Sequence, residues 1–320
     1  MSPHGLAPAA QRRVVALGGG HGLSAALAAL RLLTDHVTAI VTVADDGGSS
    51  GRLREELGVL PPGDLRMALA ALCDDTEWGH TWRDVLQHRF SGAGELRGHA
   101  LGNLMIVSIW ELLGNTVGGL DLVGRLLGAR GRVLPMAGEP LDIVAEIVGH
   151  DPERPTETAL VHGQHRVASS PGRVSSIGIL PTCPKPCPEA VSAVWDADWV
   201  VLGPGSWFTS VMPHLLVPEL ADALVATPAK RLLNLNLEVH KGETRDFRAE
   251  DHLTSLAATA PGLRLDVVLA DPTVVVDEPS VRSVAAGLGA ELVVAPVALP
   301  DQPGVHDPLR LAAAFRDVIG

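Results

Sequence analysis

Six short, mostly apolar runs recur along the chain, and each gives way to a cluster of Gly, Asp, Asn or Pro. They are Val14–Leu17 before GGGHG, Ala39–Val43 before ADDGGSSG, Trp199–Leu202 before GPGS, Leu232–Leu235 before NLEVHKGE, Leu265–Leu269 before ADP, and Glu291–Ala295 before PVALPDQPG. Apolar runs this short, with no polar alternation and with helical-looking or loop segments between them, predict strands buried on both faces of a mostly parallel sheet. The fold class is therefore α/β. On such sheets ligands sit outside the carboxyl ends of the strands, so the residues that follow each run carry the functional information.

A long insertion separates the second run from the third. Residues 60–130 read as a helical insertion: Asp64 is placed to cap LRMALAAL, Thr81–Arg89 is amphipathic, and Ala100–Leu113 is apolar nearly all round and hence buried. Residues 131–190 read as a β-rich excursion from the main sheet, because RVLPM, LDIVAEIV, TALVHG and HRVASS are short strand-like pieces broken by prolines. No internal repeat or low-complexity linker divides the chain, so residues 1–320 are read as one domain with an elaborated middle.

Composition narrows the partners. With 46% hydrophobic and 19% charged residues the chain has ample material for a core. Its 37 acidic against 25 basic residues give −12, which disfavours a broad nucleic-acid surface; any phosphate must be gripped locally. Cys73, Cys183 and Cys187 form neither a disulfide framework nor a zinc pattern, which predicts a reducing, cytoplasmic compartment. The first dozen residues lack the apolar core of a leader, and no apolar run approaches the roughly 18 residues of a membrane span. The apolar richness is compatible with a homo-oligomer.

Three strand-ending clusters carry candidate chemistry. The first, Gly18-Gly19-Gly20-His21-Gly22, precedes a helical segment, so its backbone amides and the helix start suit a phosphate. A tight β-to-α turn accounts for two of those glycines, but not for four in five positions. It is not the dinucleotide fingerprint, because Leu23 stands where the last glycine is required. The second is Asp45-Asp46-Gly47-Gly48-Ser49-Ser50-Gly51-Arg52. Asp45 there suits a ribose hydroxyl, and Asp45 with Asp46 suits a hydrated Mg²⁺; the alternative is a solvated Asx turn with Ser49 or Ser50 as a helix cap. The third, Gly203-Pro204-Gly205-Ser206-Trp207-Phe208-Thr209, repeats the pattern of strand, glycine turn and hydroxyl-rich start. Two phosphate-type turns on different strands suit a diphosphate. Trp207 and Phe208 read first as core residues and second as stacking platforms.

Further strings are weaker. Asp64-Leu65-Arg66 and Asn103 in GHALGNL are read equally as helix-start chemistry and as pocket lining. Arg52, Arg66 and Arg97 are the cations expected near an anionic ligand, whereas Arg54 is expected on a solvated helix face. Asn236 lies in the polar stretch Asn234–Thr244, which is placed to close one wall. His162 and His165, spaced H-x-x-H in a strand-like stretch, would face opposite sides and are not expected to bind zinc. Cys73 reads as a small buried residue, and no G-x-S-x-G elbow is present.

Taken together, GGGHG, TVADDGGSSGRLREELGVLPPGDLR, GHALGNL, VLGPGSWFTSVMPHLLVPEL, the NL…GET of Asn236–Thr244 and HDPLRLA resemble, in order over residues 13–315, the bacterial gluconeogenesis-factor (morphogenesis-factor) family. That family belongs to the superfamily of the 2-phospho-L-lactate transferases. The resemblance implies a Rossmann-like cytoplasmic protein that binds a UDP-sugar such as UDP-N-acetylglucosamine and supports cell shape and wall synthesis during gluconeogenic growth. It implies a pocket lined by Gly19, Gly20, His21, Gly22, Asp45, Asp46, Ser49, Asn103, Gly203, Gly205, Ser206 and Thr209. Trp207-Phe208 and Glu238-Val239-His240-Lys241 depart from the family's usual residues.

Three functions fit these residues. A nucleotide-sugar-binding regulator comes first, because two phosphate turns stand without an evident nucleophile. A Mg²⁺-dependent phospho-transferase of the 2-phospho-L-lactate type comes second. An NAD(P)-binding oxidoreductase comes third, since the fingerprint fails at Leu23.

Overall fold

A computed structural model describes residues 11–238 and 242–320. The leader reading of residues 1–10 and the departure at 239–241 lie outside the described residues. Seven strands, all paired in parallel, form the central sheet: β1 (Val14–Gly18), β2 (Val37–Val41), β3 (Arg132–Pro135), β7 (Trp199–Leu202), β8 (Lys230–Asn234), β9 (Val267–Ala270) and β10 (Glu291–Val294). Their order across the sheet is β10-β9-β8-β7-β1-β2-β3. Every residue of β1, β7 and β9 is buried, as expected of strands covered on both faces.

Helices α1 (Gly20–Leu30), α2 (Gly48–Leu57), α3 (Pro62–Ala71), α4 (Glu77–Gln87), α5 (Leu101–Leu113) and α6 (Thr116–Leu126) occupy the chain between β1 and β3. Beyond β3, strands β4 (Asp142–Val148), β5 (Thr158–His162) and β6 (Arg173–Leu180) form a separate antiparallel sheet in the order β5-β4-β6, with α7 (Gln164–Ala168) between β5 and β6. Helices α8 (Pro188–Asp196), α9 (Pro218–Ala226), α10 (Ala249–Thr259) and α11 (Glu278–Gly287) alternate with β7 to β10. A hairpin of β11 (Ala298–Leu299) and β12 (Gln302–His306) leads to α12 (Pro308–Ile319), which packs with α3 around α1.

Five local expectations change. RVLPM is not part of the excursion: β3 pairs with β2 and ends the main sheet, where Pro135 is tolerated because an edge strand leaves one side unpaired. HRVASS is helical in α7, because Gly163 breaks the strand with φ +97° and Asp46 accepts the amide of His165 at 2.8 Å. Asp64 lies in the first turn of α3 and does not cap it; Pro61 holds the cap position. The carboxyl end of α5 is exposed, with Leu112 81% accessible. Arg54 leaves the solvated face predicted for it: it donates to the Leu141 carbonyl and pairs with Asp142 at 2.6 Å, tying α2 to β4.

Candidate functional site

Strands β1 and β7 lie side by side, while the chain proceeds from them towards opposite edges of the sheet. That is the point at which an open α/β sheet leaves a crevice at its carboxyl end. The glycine loops that follow the two strands meet there. A Cβ built on Gly22 would stand 2.6 Å from Gly205 Cα, and one built on Gly205 would stand 3.6 Å from the Gly19 carbonyl oxygen. At Gly22 only a residue without a side chain allows the backbones this close.

The loops bound a chamber of about 270 Å³ lined by Gly19, Gly20, His21, Gly22, Thr42, Asp45, Asp64, Gln164, Gly205, Ser206, Thr209 and Ser210. His21, Gly22, Gly205 and Ser206 also line an adjoining, wider lobe of about 490 Å³, whose walls include Trp207, Asn236, Glu238, Glu243, Thr244 and His306. Another cavity, of about 530 Å³ beside Arg13, Asp35 and Glu189, lies at the amino ends of β1 and β2, away from the glycine loops.

Two carboxylates set the electrostatics of the chamber. Asp45 Oδ1 accepts the Gly47 amide at 3.0 Å, and the Asp45 charge faces Asp64. Burial first, and the neighbouring Asp45 second, raise the Asp64 carboxyl from 3.8 to about 7, although the Gly20 amide partly offsets them. A Cβ on Gly19 would lie 2.5 Å from Asp64 Oδ2, so the first loop is shaped around this carboxylate. Thr42 Oγ1, at the end of β2, is buried without a hydrogen-bond partner.

In the wider lobe, Glu243 is 5% exposed, and burial raises its carboxyl to about 7. Its Oε1 accepts the Phe208 amide at 2.8 Å, so this carboxylate already occupies the start of the π-type turn Trp207–Val211. Burial also pushes the His306 imidazole down to about 4.

Of the residues singled out from sequence, Gly19, Gly20, His21, Gly22, Asp45, Asp64, Gly205, Ser206 and Thr209 line the chamber together. The others do different work. Asp46 turns away from Asp45 and accepts the His165 amide of α7. Ser49, Asn103 and Arg66 form a buried relay behind the wall: Arg66 Nε donates to Asn103 Oδ1 at 2.8 Å, and Asn103 Nδ2 donates to Ser49 Oγ at 2.9 Å. Ser49 also meets His99 at 3.0 Å, while Ser50 accepts the Gly63 amide, so neither serine caps α2. Arg52 is exposed and donates to the Glu95 and Arg97 carbonyls, and Arg97 is exposed as well. Gly203, with φ +72°, makes the exit from β7 where a Cβ would lie 2.9 Å from the Asn234 oxygen. Asn236 lines the wider lobe while holding Gly205. Trp207 and Phe208 are 3% and 4% exposed and pack edge-on against His252 and Phe247, respectively.

Sequence reasoning missed Gln164 and His306, and gave Thr42 and Glu243 no role of their own: Thr42 stands within the second strand-ending string, and Glu243 within the polar stretch Asn234–Thr244 placed to close one wall. Thr42 had a signal, as the one polar residue within the apolar run Ala39–Val43; Gln164 had none, because its helix reads as a strand in the sequence.

Asp45, Asp64 and the unpartnered Thr42 hydroxyl present hard oxygen donors to one chamber. Such a set fits Mg²⁺, which is commonly held by one or two carboxylates together with phosphate oxygens and water. Among the described residues no group of three or more His, Cys, Asp or Glu side chains could hold a metal. A bound ligand would therefore have to complete the coordination.

Comparison with known proteins agrees with this architecture. A Mycobacterium tuberculosis protein is 52% identical over 308 residues, covering 95% of this chain and 90% of that protein. The Listeria monocytogenes protein named gluconeogenesis factor is 38% identical over 266 residues, covering 83% of this chain and 79% of that protein. A crystal structure of a UPF0052 family member from Bacillus halodurans superimposes with a TM-score of 0.81 at 30% identity, covering 95% of this chain and 98% of that one. The fold is thus Rossmann-like α/β, and among the described residues no helix is long and apolar enough to cross a membrane. Residues 14–294 match the family described as 2-phospho-L-lactate transferase CofD, and the chain belongs to that family.

Proposed function

We infer that this chain binds a UDP-sugar of the UDP-N-acetylglucosamine class in the β1–β7 crevice, and that it acts as a cytoplasmic regulator of cell shape and wall synthesis during growth on gluconeogenic carbon. The observation that carries this reading is the backbone approach of Gly22 to Gly205, which brings two glycine loops from different strands to one chamber. Exposed amides at a helix start suit phosphate oxygens, and α1 begins at Gly20 on the chamber wall. The wider lobe adds Asn236, Glu243 and Thr244, polar groups of the kind that orient a base or a sugar. Relatives named gluconeogenesis factor support the physiological half of the reading. Calorimetry with UDP-N-acetylglucosamine, with and without Mg²⁺, is expected to give binding that is largely independent of metal. Absence of heat with any UDP-sugar removes the reading.

A second reading, phospho-group transfer, is favoured by the paired Asp45 and Asp64 and by the family itself. Mg²⁺ held by these two carboxylates would neutralise charge on a diphosphate. The chain's own part is to orient the diphosphate between the glycine loops, with Asp45 and Asp64 facing it from the same chamber. Phosphorus NMR after incubation with nucleotide-activated phospholactate and a deazaflavin acceptor separates the two: no new phosphodiester supports the regulator, and turnover supports the transferase.

A further inference from the structure

A cavity of about 550 Å³ adjoins the chamber at His21, which lines both, and runs along α1, α3 and α4. Its walls carry Arg31, Arg66, Arg83 and Arg89 and no carboxylate among the described lining residues. Two of these cations are answered from outside it, Arg31 by Asp75 at 2.7 Å and Arg83 by Asp84 at 3.4 Å. Arg66 and Arg89 have no ion-pair partner among the described residues. Arg89 Nη1 donates to the Gly98 carbonyl at 2.9 Å, and Arg66 spends Nε on Asn103. Arg66 is only 3% exposed, and its Nη1 is buried with no hydrogen-bond partner.

A buried guanidinium with an unsatisfied N–H beside a second cation is costly, and the cost falls when an anion enters. Burial and the Arg89 charge hold Arg66 down to about 10, against the weaker pull of Asp64 and Asp45. The arrangement also runs against the chain as a whole, whose net charge is −12. The forked N–H geometry of arginine matches the paired oxygens of carboxylates and phosphates.

The geometry points to a second anion site, in which Arg66 and Arg89 hold a phosphate monoester or carboxylate group outside the glycine chamber. The group belongs to a separate small anion, because UDP-N-acetylglucosamine carries its charge on the internal diphosphate and has no terminal phosphate monoester or carboxylate. His21, a residue of the first glycine loop, lines both cavities and so lets occupancy of one site be felt at the other.

Inorganic phosphate is the probe, titrated by calorimetry at constant ionic strength into the full chain and into Arg89→Gln, Arg66→Lys and Arg282→Gln. Arg282 is a distant exposed arginine paired with Glu278, and its variant controls for general charge loss. Arg89→Gln and Arg66→Lys are each expected to weaken phosphate about tenfold, and Arg282→Gln to leave it unchanged. Arg89 is exposed, so its variant keeps the test valid where a change at buried Arg66 unfolds the chain. Unchanged affinity in Arg89→Gln, or an equal loss in Arg282→Gln, overturns the site. Repeating the titration with saturating UDP-N-acetylglucosamine is expected to leave the phosphate affinity undiminished; competition in the wild type would place the phosphate in the glycine chamber and overturn the site. Failure of the nucleotide-sugar reading appears only as absent heat with UDP-sugars, and the Arg89→Gln comparison stands apart from it.

Discussion

Asn236 and Gly205 are joined through both ends of one side-chain amide: Asn236 Oδ1 accepts the Gly205 N–H at 2.8 Å, and Asn236 Nδ2 donates to the Gly205 carbonyl at 2.5 Å. Asn236 follows β8 and Gly205 follows β7, so the pair fixes the second glycine loop against the next strand end. Removing both bonds in Asn236→Ala is expected to cost about 1–2 kcal/mol of stability, at about 1 kcal/mol per neutral hydrogen bond. The loosened loop is expected to weaken UDP-N-acetylglucosamine about tenfold by calorimetry. Wild-type affinity in that variant would show that the loop keeps its place without Asn236.

Gly22 tests the approach of the two loops more directly. Its Cβ would press on the Pro204 carbonyl and on Gly205 Cα, backbone atoms that cannot swing aside. Gly22→Ala is expected to destabilise by about 2 kcal/mol, as overpacking against backbone does, and to reduce ligand affinity below detection. Gly58→Ala serves as its counterpart. Gly58 ends α2 with φ +66° and open space around its Cβ, so alanine there costs about 1 kcal/mol of backbone strain and leaves affinity unchanged. Equal affinities for the two variants would mean that the loops do not share a ligand.

What the sequence made legible follows from the length scale of each signal. The apolar runs located six strands of the main sheet, because full burial on both faces suppresses polar alternation within the run itself. β3 reads as part of the excursion, since nothing local in Arg132–Pro135 distinguishes an edge strand from a piece of one; its membership is decided by pairing with Thr38–Val41 nearly a hundred positions away. The site divides in the same way. Glycine loops advertise themselves by composition, so Gly19–Gly22 and Gly205 were found. The adjacent carboxylates Asp45 and Asp46 look interchangeable on paper, but their backbone turn sends one to the chamber and the other to α7. Glu243 reads in the sequence only as part of a polar wall, because its role comes from the Phe208 amide brought to it by folding.

Asp64 gives the stability profile a definite slope. Its carboxyl titrates at 3.8 unfolded and at about 7 folded, so over that interval the native state keeps a proton that the unfolded chain releases. Stability therefore falls as pH rises through the interval and stays depressed above it. Asp64→Asn removes the charge and retains an oxygen for the Gly20 amide. Partial exposure of Asp64 reduces the full effect, and a gain of about 2 kcal/mol is expected at pH 8, with none near pH 4. Urea denaturation at the two pH values checks it. A variant that is equally stabilised at both, or destabilised at pH 8, would place Asp64 in a less strained setting.

Asp45 and Asp46 are separated by the same measurement. The Asp45 charge is the second largest contribution holding up the Asp64 carboxyl, whereas Asp46 is occupied by the His165 amide at 2.8 Å and does not figure among those contributions. In Asp45→Asn the Asp64 carboxyl loses its like-charged neighbour and titrates lower, so the decline in stability between pH 5 and pH 8 shrinks by about 1 kcal/mol. Asp46→Ala leaves that decline unchanged and instead lowers stability by about 1 kcal/mol at both pH values, the usual cost of removing an acceptor from the first turn of a helix. A pH-dependent effect of Asp46→Ala, or a pH-independent one of Asp45→Asn, would mean that the two carboxylates face opposite to the directions described.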